Sequence, residues 1–124
     1  MSPLKAFLVE DSPVVSDSLI AALEALAPID VVGVVADERS AVRWMKEHAK
    51  DCDVVITDIF LKSGPGLGVL RAGRQLEEPM NMVVISNYAT PDMRKKCLEL
   101  GATRVFDKSR DIDELIAYCS ALAV

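Results

Sequence analysis

Five short apolar runs alternate with segments of helical period along the whole chain, and this alternation limits the possible folds more than any other feature. The runs are Leu4–Val9, Val31–Ala36, Val54–Ile56, Met82–Ile85 and Thr103–Phe106. They are rich in β-branched residues, and four are nearly continuous in apolar character, as strands buried on both faces of a parallel sheet are. Between them, Ser12-Pro13 sets an N-cap before a proline at the first helical position, and Val15, Leu19, Leu23 and Leu26 recur at helical spacing as far as Pro28. Asp37 caps a second helix carrying Ala41, Val42, Met45 and Ala49, and a third is predicted from about Leu67 to Leu76, before Pro79. Thr90-Pro91 repeats the cap-plus-proline pattern for a fourth, ended by Gly101, and Ile112, Leu115, Ile116, Cys119 and Leu122 mark a fifth.

Five strand–helix repeats predict an α/β protein with three layers, α/β/α, around a five-stranded parallel sheet with right-handed crossovers. At 124 residues, 51% hydrophobic and 27% charged, the chain is expected to form one domain over 1–124, with no output domain beyond it. Fourteen basic against nineteen acidic residues leave a net charge of −5, which argues against direct binding to nucleic acid or an anionic membrane. Cys52, Cys97 and Cys119 contain no Cys-x-x-Cys pair, so buried thiols are expected rather than disulfides or a zinc site. No basic segment leads into a sustained apolar stretch and no run approaches a membrane span, so a cytoplasmic location is expected.

In open α/β sheets ligands sit beyond the carboxyl ends of the strands, at the point where the strand order reverses. Those positions hold Glu10 and Asp11 after the first strand, Asp58 after the third, Ser86 after the fourth and Lys108 after the fifth. A flavodoxin-like order, 2-1-3-4-5, brings all five to one edge and leaves Asp37 outside as a helix cap. Three neighbouring carboxylates repel one another unless a cation joins them, and an all-oxygen donor set favours Mg²⁺ shared with a phosphate. Lys108 and the Ser86 hydroxyl supply donors for phosphate oxygens, so the set suggests phosphoryl transfer to Asp58 as nucleophile. Each residue alone has a bland reading, as a helix-terminal acid, a turn residue or a solvated charge; their convergence on one edge favours function.

Glu10-Asp11, Asp58 in Val-Val-Ile-Thr-Asp, Ser86 after Met-Val-Val-Ile, and Phe106-Asp107-Lys108 after Gly101-Ala102-Thr103 resemble the receiver domain of two-component response regulators, the single-domain, chemotaxis-regulator-like kind included. The resemblance implies that Asp58 is a phosphoacceptor served by a sensor histidine kinase or a phosphotransfer domain. It implies that Glu10, Asp11, Asp58 and the backbone carbonyl of Phe60 hold Mg²⁺, and that Lys108 contacts the phosphoryl group. Ser86 would be the switch hydroxyl and Phe106 the aromatic that responds, with a readout surface on the fourth helix, fifth strand and fifth helix for a downstream target protein. A phosphorylation-dependent dimer fits the same resemblance. Two departures stand out: Lys62 occupies a position where the family often has proline, and Ser109 follows Lys108 where many members have proline. Phe60 and Tyr88, two residues beyond Asp58 and Ser86, are both aromatic and are expected to modulate autodephosphorylation.

Three rivals remain: the receiver fragment of a larger regulator with a DNA-binding or enzymatic output, an unphosphorylated scaffold, and an aspartate-nucleophile phosphatase. The phosphatase would need an acid/base two residues after Asp58, where Phe60 stands. A signalling module, not an enzyme, is therefore expected. Gly64-Pro65-Gly66-Leu67-Gly68 lacks the spacing of a nucleotide-binding loop and reads as turn chemistry. His48 is expected at or near the surface with no relay role, Trp44 in helix packing, and Arg94-Lys95-Lys96 on a solvated face with a partner contact as the second reading.

Overall fold

The computed structural model describes residues 3–61, 64–76, 80–87 and 89–123. Strand β1 (Leu4–Val9) leads into α1 (Pro13–Leu26), followed by β2 (Ile29–Val35), α2 (Glu38–His48), a 3₁₀ turn at Ala49–Asp51 and β3 (Val54–Asp58). Two-residue strands β4 (Phe60–Leu61) and β5 (Gly64–Pro65) precede α3 (Leu67–Arg74), and β6 (Asn81–Ser86), α4 (Pro91–Glu99), β7 (Arg104–Asp107) and α5 (Ile112–Leu122) complete the chain. The main sheet is parallel throughout, in the order β2-β1-β3-β6-β7. Its labels depart from the expected 2-1-3-4-5 because β4 and β5 pair only with each other, as a small antiparallel ladder after β3.

The capping residues act as their positions predict. Ser12 accepts from the Val15 amide, Asp37 from the Ser40 amide at 2.8 Å, and Thr90 from the Met93 amide at 3.2 Å. Helix α4 ends at Gly101, whose φ of 111° only glycine adopts without strain, while the Ala102 amide reaches back to the Cys97 carbonyl at 2.9 Å. Element ends shift by one or two residues: Asp58 and Ser86 close β3 and β6 instead of following them, and Ala49 lies in the 3₁₀ turn. Helix α3 stops at Arg74, two residues short of the expected end.

The sheet divides the interior in two. Ala6, Leu8, Ile56, Ile85 and Phe106 face α1 and α5, meeting Leu19, Leu23, Leu115 and Cys119. Phe7, Val9, Val55 and Val84 face the other way, toward Ala41, Met45, Val69, Leu70 and Cys97. Strand β2 reads as continuously apolar yet lies at the sheet edge, so Val32 and Val34 remain exposed. Its register with β1 shifts at Val32, which turns Gly33 beneath α2. There Trp44 stacks flat on Phe7, centroids 3.9 Å apart, and a Cβ at Gly33 would lie 2.7 Å from the Trp44 ring nitrogen. Trp44 is thus a packing residue, and the His48 ring tilts against it at 4.8 Å. Cys97 and Cys119 are buried and Cys52 half-buried, all three as free thiols; burial raises Cys52 and Cys119 to about 11. Among the described residues no helix is long and apolar enough to cross a membrane.

Candidate functional site

Three strand ends meet where β1, β3 and β7 run out. Glu10 follows β1 at 3% exposure, Asp58 closes β3 at 5%, and Lys108 follows β7. The Lys108 ammonium lies between the two carboxylates, donating to Asp58 Oδ2 at 2.6 Å and to Glu10 Oε1. Each carboxylate's second oxygen is also occupied: Asp58 Oδ1 accepts from the Phe60 amide at 2.9 Å and Glu10 Oε2 from the Ser12 amide at 3.1 Å. Burial pulls the lysine toward its neutral form, but hydrogen bonds and charge from Asp58 and Glu10 outweigh it and hold its pKa above the ordinary value.

The remaining predicted residues surround this pair of contacts. Ser86, fully buried at the end of β6, receives the Lys108 backbone N–H on its carbonyl at 3.0 Å, and Asp11 is half-buried beside Glu10. Phe60 is 43% exposed, so an aromatic side chain stands at the mouth of the site. Phe106 is buried against α5, its ring 5.9 Å from that of Tyr118, with the Arg104 guanidinium 5.1 Å from both ring centroids. Tyr88 and Lys62 lie outside the described residues. Asp37 caps α2 away from the cluster, as its strand position predicts. An open, largely apolar groove of about 360 Å³ adjoins Lys108, lined by Val14, Val15, Ser18, Leu19 and Ile112.

The loop beyond Asp58 is fixed by close backbone approach. The Gly66 amide donates to the Ile59 carbonyl at 2.6 Å, and a Cβ on Gly66 would come within 3.0 Å of the Asp58 carbonyl. Helix α3 has no capping side chain of its own; Glu38 of α2 supplies one, accepting from the Gly68 amide at 2.9 Å. The glycines therefore serve turn and packing geometry. Beyond Lys108, Asp107 accepts from the Ser109 amide at 2.8 Å and hydroxyl at 2.6 Å, so the serine orders the turn into α5. These bonds hold the Asp107 carboxyl below the usual carboxylate range. Glu38, Asp107 and Ser109 as positioning groups escaped the sequence reading, because their partners lie in other elements or depend on turn geometry.

Glu10, Asp11 and Asp58 present only hard oxygen donors, the set that suits Mg²⁺. Among the described residues no three acidic, histidine or cysteine side chains are placed to hold a metal ion, and Lys108 lies between Glu10 and Asp58. A divalent cation would reach these oxygens only after the ammonium moved aside. A buried acid, its paired ammonium and a buried serine thus stand together on convergent strand ends.

Residues 6–120 match the response regulator receiver domain, and the chain belongs to that family. It is 33% identical over 110 residues to protein-glutamate methylesterase/protein-glutamine glutaminase 5 of Anaeromyxobacter dehalogenans, covering 87% of this chain and 30% of that protein. It is 28% identical over 99 residues to the transcriptional regulatory protein MalR of Bacillus subtilis, covering 80% and 41%. The chain thus spans about a third of the length of these curated relatives. Among solved structures, the signal receiver domain of NarL from Mycobacterium tuberculosis superposes with a TM-score of 0.87 at 24% identity, covering 99% of this chain and 98% of that one. CheY in the CheX-CheY-BeF₃-Mg²⁺ complex from Borrelia burgdorferi gives a TM-score of 0.85 at 22% identity, over 98% and 90%, a likeness of fold.

Proposed function

We propose that this chain is a phosphorylation-controlled signalling module in which Asp58 accepts a phosphoryl group from the phosphohistidine of a sensor histidine kinase or phosphotransfer domain. A carboxylate oxygen of Asp58 forms the new P–O bond while the P–N bond breaks and its electron pair returns to the imidazole. The observation that carries this reading is the Lys108 ammonium held between buried Glu10 and Asp58. It sets a positive charge directly against the acceptor carboxylate, and its long stem lets it follow the new phosphoryl oxygens. Mg²⁺, held by Glu10, Asp11, Asp58 and the Phe60 backbone carbonyl, would neutralise charge developing on the phosphoryl oxygens. The Ser86 hydroxyl donates to a phosphoryl oxygen, and Phe106 responds on the readout side. The output is carried to a target protein through α4, β7 and α5.

Turnover of small phosphoesters is disfavoured because Phe60 supplies no acid or base two residues beyond Asp58. The methylesterase and transcriptional roles in the relatives' names belong to those longer proteins. Incubation with a small phosphodonor and Mg²⁺, followed by intact-mass measurement, should show one added phosphoryl group that disappears with time. Asp58→Asn and chelator controls should show none. An adduct persisting in Asp58→Asn would move the acceptor elsewhere, and failure of the wild type to take up either phosphoryl or beryllofluoride would favour the scaffold reading.

A further inference from the structure

The sequence places Arg94 at the start of an exposed basic run on α4, and Lys95 and Lys96 do face solvent. The Arg94 guanidinium instead turns inward. Its Nε donates to the Ala89 carbonyl at 3.0 Å, one Nη to the Val105 carbonyl at 2.8 Å, and the other Nη to Asp111 Oδ2 at 3.2 Å. These acceptors belong to three different pieces of chain: the segment after Ser86, the edge strand β7, and the turn that starts α5. Asp111 Oδ2 also accepts the Asp107 amide at 2.8 Å, and the Lys108 amide is bonded to Ser86. One planar group therefore touches the chain on both sides of Phe106 and Lys108, and the loop that leaves Ser86.

We propose that Arg94 is the positioning residue that transmits the state of the Asp58 site to the α4–β7–α5 face, an inference that rests on the receiver reading above. Movement of Ser86 toward a phosphoryl oxygen draws the segment behind it, and with it the Ala89 carbonyl. The guanidinium has donors in fixed directions, so it cannot follow one acceptor without leaving or dragging the other two. Leaving the Val105 carbonyl strips a buried strand of that donor, and leaving Asp111 breaks the ion pair, which favours a concerted shift of β7 and the α5 turn over a local one. Lysine at this position would keep the charge beside Asp111 without the three-way geometry.

The test is an amide NMR titration of the whole chain with beryllofluoride in the presence of Mg²⁺, on wild type, Arg94→Lys, Arg94→Ala and Lys95→Ala. In wild type and Lys95→Ala, shifts are expected both around Asp58 and Ser86 and across residues 104–119. In both Arg94 variants, half-saturation should stay within about threefold of wild type while the remote shifts fall to roughly half or less. Remote shifts of wild-type size in the Arg94 variants would overturn the proposal. If Arg94→Ala fails to melt cooperatively, Arg94→Lys alone decides. Absence of any wild-type response at Asp58 would instead overturn the phosphoacceptor role proposed for Asp58, and this inference with it.

Discussion

Lys108 donates to Asp58 across 50 residues of sequence at 2.6 Å, with both side chains largely withdrawn from water. Because Glu10 holds the same ammonium from the other side, the resting site is a lysine clamped by two carboxylates. The lysine's raised pKa means its stabilising contribution is complete below the ordinary lysine value and is lost only as pH rises through the higher folded value. The clamp therefore persists at every pH near neutral.

Lys108→Met is expected to lower stability by about 3 kcal/mol at neutral pH without divalent cations, since it leaves Glu10 and Asp58 as uncompensated buried charges. Urea unfolding measures this. The same variant should bind Mg²⁺ more tightly than wild type by calorimetry, because ammonium and cation compete for the same oxygens. Equal Mg²⁺ affinities would show that the clamp does not compete.

Phe60 exposes its side chain close to Asp58 while its amide is tied to Asp58 Oδ1. Phe60→Ala keeps the amide and removes the ring, so water gains access to the acyl phosphate and the phosphorylated form should decay several-fold faster. Time-resolved intact mass after donor removal gives the rate. An unchanged rate would remove Phe60 from the control of lifetime.

Gly33→Ala would drive a methyl into the Trp44 ring. Relief requires Trp44 to tilt off Phe7, at a cost of about 1–3 kcal/mol. The near-ultraviolet circular dichroism band of the single tryptophan should weaken together with the urea midpoint. A conserved band would mean that the backbone, not the ring, gives way.

Hydrogen bonding of Asp111 to the Asp107 amide, together with Arg94, holds its carboxyl below the ordinary value. A depressed carboxylate stabilises the fold above its unfolded pKa, near 4, and that contribution disappears as pH falls through the lower folded value. Asp111→Asn should thus be less stable than wild type at pH 7, with the difference closing below about pH 4. Parallel urea titrations at the two pH values test this, and a gap independent of pH would assign the loss to packing.

What could be read from the sequence were features whose cause is local. Ser12, Asp37 and Thr90 cap helices because each precedes a helical period, twice with proline behind it. The strand-end cluster was legible because the alternation of elements fixes which loops share an edge. Arg94 departs from its expected solvated face for the converse reason: its acceptors, Ala89, Val105 and Asp111, gather only once α4 lies against β7. Glu38 likewise begins one helix while capping another, and no spacing rule connects residues 38 and 68. Strand β2 is as apolar as a central strand, and only the expected strand order places it at the sheet edge, where Val32 and Val34 are exposed.

The division of the interior by the sheet has a consequence for how such a chain can vary. Phe7 and Leu8 are neighbours in sequence but belong to separate hydrophobic clusters on opposite sides of the same strand. A volume change on the α1–α5 side can therefore be absorbed by residues that do not touch Met45 or Val69. The strand ends carrying Glu10 and Asp58 are braced from both directions, so either half can drift toward new binding partners while the other keeps the acids in place.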